Sequence, residues 1–155
     1  MPDQNSVVME GVRLIFRNFT GKGNLYNQEG ARNFGVILPD DVAEAMDRDG
    51  WNVKRLEARD EDEGDESTPW LQVKINYARG RPPKIVVVTD RGKTTLTEDT
   101  VEMLDWADIT NVDLIVRPYF YDVGGRQGIA AYVQSMYVTI EEDALERKYA
   151  ELDSQ

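Results

Sequence analysis

Along residues 70–77 the side chains alternate without a break. Leu71, Val73, Ile75 and Tyr77 fall to one side, and Trp70, Gln72, Lys74 and Asn76 to the other. A period of two is the period of a β-strand, so this stretch must carry one face on a core and the other toward water. Weaker versions of the same signal recur along the chain. Residues 12–17, 33–38 (Phe34, Val36 and Leu38 on one face) and 51–56 read as strands. Residues 84–89, which carry Ile85 to Val88, read as a buried strand that pairs with the 70–77 run through a turn at 79–83. Residues 111–121 read as a strand with Leu114, Val116 and Phe120 on the core side and Ile115, Arg117, Tyr119 and Tyr121 on the other. A loop at 122–128 then leads into a long final strand at 129–140.

Helices interrupt this order. Asp40 and Asp41 can accept from the unpaired N–H groups of a first turn, Val42, Ala45 and Met46 supply an apolar stripe, and Gly50 ends it. Thr97, Glu98 and Asp99 open a second helix, with Val101, Leu104 and Trp106 on its apolar side. Phe16, Phe34, Trp51 and Trp106 are expected in the core. The tail, 141–155, reads as an acidic helix. Six or seven short strands with glycine-rich turns describe a mainly β domain with inserted helices, closed as a small barrel or stacked as a sandwich.

Charge is distributed unevenly. The chain carries a formal net charge of -11, yet residues 68–96 hold Lys74, Arg79, Arg81, Lys84, Arg91 and Lys93 against the single acid Asp90. Trp70 and Tyr77 lie in the same stretch. Cations interleaved with rings suit a flexible polyanion whose bases can stack, which is single-stranded nucleic acid. Two strands place such residues opposite their apolar face: Trp70 and Lys74 on one, Arg117, Tyr119 and Tyr121 on the other. On a curved sheet those faces form one groove, where rings stack on bases and cations neutralise phosphates. Arg13, Arg17, Lys22 and Arg32, with Phe19 and Tyr26, make a second, weaker cluster at the first loop, and loops of this kind can close over a bound strand. The competing reading is bland. Lys and Arg are ordinary on exposed strand faces, and Tyr is frequent in strands.

Several chemistries are excluded. Cysteine and histidine are both absent, which removes disulfides, thiolate nucleophiles, cysteine-ligated zinc and histidine catalysis. The 20–23 segment lacks the spacing of a phosphate-binding loop. The acid-rich segment 59–67 lacks the ligand order of a calcium loop and reads as a solvated hairpin tip. Asp105 and Asp108 read as solvated groups at a helix end. No cofactor or metal is called for. No apolar run approaches the ~20 residues of a membrane span, and the first residues lack the basic start and apolar block of a signal peptide. A cytoplasmic protein is expected.

A family resemblance draws these features together. It rests on residues 31–34 (ARNF), Gly50 to Lys54 (GWNVK), Tyr77 with Pro82-Pro83-Lys84, residues 112–119 (VDLIVRPY) and residues 132–142 (AYVQSMYVTIEE less its first Ala) ahead of an acidic tail. Together these resemble bacteriophage single-stranded DNA-binding proteins over roughly residues 8–150. The resemblance implies an OB-fold, a five-stranded barrel elaborated by helices, which coats displaced strands during phage replication or recombination and catalyses nothing. The chain divides into a nucleic-acid-binding domain at 1–140 and a tail at 141–155, whose acidic residues by themselves suit competing with DNA for the basic groove, recruiting replication or recombination proteins, or simply aiding solubility. A homo-oligomer is compatible with it. Two other readings stay open on the residues alone: an acidic phage module that binds or inhibits a host protein, and a magnesium-dependent carboxylate nuclease.

Overall fold

The protein is described from a computed structural model over residues 6–23, 30–56, 68–78 and 81–141. Its strands are β1 (Val7–Met9), β2 (Arg13–Asn18), β3 (Arg32–Ile37), β4 (Val53–Leu56), β5 (Thr68–Ile75), β6 (Lys84–Thr89), β7 (Gly92–Leu96), β8 (Ile109–Val123) and β9 (Arg126–Ile140). One helix, α1 (Asp40–Asp49), and one 3-10 turn (Val101–Asp105) complete the described elements.

The strands follow the order β1-β8-β9-β5-β3-β2. Every neighbour in that path is antiparallel except β5 and β9, which run parallel at Val73↔Ala131 and Lys74↔Tyr132. Five of these strands, β2, β3, β5, β9 and β8, curl toward closure. The return from β8 to β2 is marked by the Val12 N–H donating to the Val112 carbonyl at 3.0 Å. The result is a mainly β, OB-like, partly open barrel, as the family resemblance implies. Phe34, Val36, Leu71, Val73, Val112, Leu114, Val116, Met136 and Val138 fill it.

The strongest alternation gives the most regular strand. In β5, Leu71, Val73 and Ile75 are buried, while Trp70 and Gln72 are half-buried and Lys74 is exposed. Helix α1 begins at Asp40 and ends where Gly50 turns left-handed at φ 101°. Its start has no side-chain cap: Pro39 occupies that position, and its carbonyl accepts from the Ala43 N–H. The two acids therefore act on the helix dipole rather than as hydrogen-bonding caps. The buried stripe is Ala43 and Met46, not Ala45.

Other expectations change with tertiary context. β6 does not pair with β5. It pairs antiparallel with β7 and parallel with β9. Both edges of β5 are already taken, one by β3 and the other by β4 and then β9, so β6 has no edge there to join. The 97–106 segment forms only a single 3-10 turn. Val101 and Leu104 are buried beneath it, but Trp106, just past its end, is 72% exposed. The 122–128 loop is shorter than expected: β8 and β9 run on to a two-residue Gly124-Gly125 turn. That arm outruns the core, so Phe120 is 63% exposed. Trp51 and Phe34 are in the core as expected, and Phe19 joins them instead of serving as a loop residue. Arg79, Tyr26, the 59–67 segment and the tail beyond Glu141 lie outside the described residues.

Candidate nucleic-acid interface

The outward face of the barrel is set by strand register. Asn33 on β3 stands opposite Lys74 on β5, Lys74 opposite Tyr132 on β9, and Tyr132 opposite Arg117 on β8. One row of side chains thus crosses four strands, about 14 Å at ordinary strand spacing. Three adjoining depressions lie along this face, and the row joins them.

The first depression is lined by Phe16, Arg17, Asn18, Lys22, Lys54, Trp70, Gln72 and Trp106, among others. Trp70 is its floor. A Cβ on Gly35 would stand 2.8 Å from Trp70 Cε3, so the indole can occupy its place only because residue 35 has no side chain. Lys54, opposite Trp70 across the β4–β5 pair, places its ammonium 5.4 Å from the ring centroid. Phe16 meets Trp70 edge to face at 5.1 Å. Two polar anchors shape the rim. Asp105 accepts from the Phe19 and Thr20 N–H groups and from the Thr20 hydroxyl. It is a latch between the first loop and the 3-10 turn rather than a solvated helix-end group. Arg17 donates to the carbonyls of Leu104 and Ala107, each at 2.9 Å, and so fixes the turn that carries Trp106.

The second depression shares Asn33 and Gln72 with the first and adds Arg32, Lys74, Tyr77, Glu98 and Tyr132. Arg32 is held in place: its Nε donates to the Phe19 carbonyl, and its guanidinium pairs with Glu98 at 3.4 Å. The same guanidinium lies 5.6 Å from the Tyr77 ring centroid. The Tyr77 hydroxyl is buried and has no hydrogen-bond partner among the described residues. Desolvation raises its pKa above 10.0, opposed by Arg32 and reinforced by Glu98.

The third depression shares Asn76 and Tyr132 with the second and adds Arg81, Arg117, Pro118 and Tyr119. Tyr119 and Tyr132 meet edge to face at 5.8 Å.

The structure therefore brings Trp70, Lys74, Tyr77, Arg81, Arg117, Tyr119, Arg17, Lys22 and Arg32 onto one continuous face. Only two acids, Asp105 and Glu98, line it among the described residues, and both are engaged. The remaining expected residues sit elsewhere. Tyr121 lies in a separate depression with Asp49 and Asp122, and its hydroxyl donates to Asn52 Oδ1 at 3.0 Å. Lys84, Arg91 and Lys93 belong to the β6–β7 hairpin and line none of the three depressions. Lys84 instead places its ammonium 5.9 Å from the Tyr137 ring centroid. Lys54, Tyr132, Phe16 and Trp106 line the same face although none was among the site residues expected from the sequence. The first two were legible as outward strand positions; the two rings were assigned to the core.

Among the described residues no group of Asp or Glu side chains is arranged to hold a metal ion, and no helix is long and apolar enough to cross a membrane.

No curated protein sequence matches the chain. Similar solved structures include the single-stranded DNA-binding protein of bacteriophage Enc34 in a C-terminally truncated form. It has a TM-score of 0.54 and 12% identity, over 89% of this chain and 87% of that one. The Enc34 protein in complex with ssDNA is similar too, with a TM-score of 0.55 and 12% identity over 89% and 88%. At that identity the likeness speaks for the fold. A sequence-family model described as "Putative phage ssDNA-binding domain" matches residues 2–154, and the chain belongs to that family.

Proposed function

We propose that this protein binds single-stranded DNA without reading its sequence, and that the strand lies across the outward face of β3, β5, β9 and β8. The observation that carries the reading is the Asn33–Lys74–Tyr132–Arg117 row, which links a depression floored by Trp70 to one walled by Tyr119 and Tyr132. Trp70, Trp106, Tyr119 and Tyr132 offer ring faces for bases, a contact worth about 1–3 kcal/mol per base. Lys22, Lys54, Lys74, Arg81 and Arg117 stand beside them for phosphates. Nothing in this arrangement selects one base over another. The acidic remainder of the molecule repels polyanions and so confines binding to this face.

The family and the ssDNA complex of the Enc34 protein support the same reading. The role that follows is non-enzymatic coating of displaced strands during phage replication or recombination, in the host cytoplasm, with residues 141–155 as an acidic tail that meets other proteins of that machinery.

The test is a tryptophan-fluorescence titration with oligo-dT at low and moderate salt, with RNA and duplex DNA as comparators. Binding should quench Trp70 and Trp106 and weaken linearly in log salt, with a slope of about −0.7 per phosphate contacted. Absence of binding at micromolar protein in low salt overturns the proposal.

A further inference from the structure

Phe16 has the wrong position for a core residue and the wrong backbone for an ordinary strand residue. Counting by twos from Leu14 would turn it inward. Instead the β2–β3 register slips between Ile15 and Asn18, so that residues 16 and 17 together stand against Phe34 alone. This bulge rotates Phe16 outward, where it is 58% exposed, and lets Phe19 take the inward place against Phe34 at 5.2 Å. Within the bulge Phe16 has φ 50°, the one positive-φ residue other than glycine in the described structure. Bulky side chains seldom adopt that conformation, and glycine would hold it without steric strain. A phenyl ring is therefore kept where the backbone disfavours it and where burial does not reward it. Bulges and left-handed non-glycine residues of this kind concentrate where a side chain must be aimed at a ligand.

The aim is visible. The Phe16 and Trp70 rings meet edge to face, 5.1 Å between centroids, and line the same depression. Arg17, the other bulged residue, is tied to the Leu104 and Ala107 carbonyls, which anchors the bulge. We infer that Phe16 is a base-stacking residue of the DNA site: the bulge holds its ring against solvent so that a nucleobase entering beside Trp70 meets a second ring. The inference rests on the proposed ssDNA binding and adds to it a residue and a conformation built for that contact.

Four variants test it in the full chain, by thermal melting and by oligo-dT titration. Phe16→Gly should melt at or above the wild-type temperature, since it releases the backbone, while its affinity for oligo-dT falls about tenfold, the loss of one stacked ring. Phe16→Ala should lose the same affinity while keeping the strained backbone. Phe16→Leu keeps both the bulk against Trp70 and the strain but has no π face, and it should bind as weakly as Phe16→Gly. Phe16→Tyr should bind as the wild type does. If Phe16→Leu binds like the wild type, the ring is only a buttress for Trp70 and the inference is wrong. A Phe16→Gly variant that melts several degrees lower would equally overturn it, because the ring would then be held by packing. Failure of the wild-type protein itself to bind oligo-dT is a separate outcome and removes the proposed function along with this inference.

Discussion

Replacing Gly35 by alanine asks whether the indole of Trp70 really lies against the β3 backbone. Gly35 is buried within β3 and is not left-handed, so only space is at issue. The new methyl would stand 2.8 Å from Ile15 Cγ1, 2.8 Å from Trp70 Cε3 and 3.1 Å from Trp70 Cζ3, where carbon atoms in contact prefer about 3.5–4.0 Å. Two opposite outcomes are separated by sign. In an unobstructed strand, alanine is better than glycine by about 0.5–1 kcal/mol. With the ring in place, the overpacked methyl costs about 1–3 kcal/mol. For a chain of this size that corresponds to a fall in melting temperature of about 2–10 °C. Urea unfolding should show a lower midpoint with an unchanged slope. Because Trp70 must lift from its seat, oligo-dT affinity should fall as well. In a Trp70→Ala background the two indole contacts are gone while Ile15 Cγ1 still stands 2.8 Å from the methyl, so the two substitutions together should cost less than the sum of their separate effects. A Gly35→Ala protein that is more stable than the wild type, with unchanged DNA binding, would refute the reasoning and the placement of Trp70 with it.

Three further outcomes follow from single side chains. Asp105→Ala leaves the Phe19 and Thr20 N–H groups without their acceptor and should destabilise the protein by about 1–3 kcal/mol in urea titration, with Asp105→Asn losing less. Lys74→Ala should weaken oligo-dT binding equally across sequences and make the log-affinity against log-salt slope shallower by about 0.7. Tyr77→Phe removes a buried hydroxyl that has no partner among the described residues and should leave stability at pH 7 equal or raised. Because burial raises the folded pKa of Tyr77, its ionisation opposes folding: stability is untouched below 10.0 and falls as pH rises from there through the folded value. Alkaline unfolding profiles should therefore flatten in Tyr77→Phe.

Local pattern and long-range pairing divided the reading of this chain. The alternation at 70–77 was legible because the period of a half-buried strand is written in consecutive residues, and the β3 core residues Phe34 and Val36 were legible for the same reason. The partner of β6 was not. A hairpin can be marked by its turn, whereas the parallel β6–β9 pairing joins segments some fifty residues apart with nothing local to mark it. β7 was not legible either, because its exposed residues, Gly92 to Thr95, carry no apolar alternation.

The site divided in the same way. Trp70, Lys74, Arg117 and Tyr119 could be assigned to outward faces, since a strand's alternation depends only on its own residues. That they lie on one face required the register Lys74↔Tyr132↔Arg117. Phe16 and Trp106 were misplaced because one slipped register reverses the direction of a side chain, and because a single 3-10 turn ends before Trp106 can reach the core. Charge and periodicity by themselves determined that this chain forms a β-rich domain with a cationic, ring-bearing stretch on an acidic body, because both are sums over neighbouring residues. Which rings and cations share a surface was decided only when the strands paired, because that depends on contacts between residues far apart in the chain.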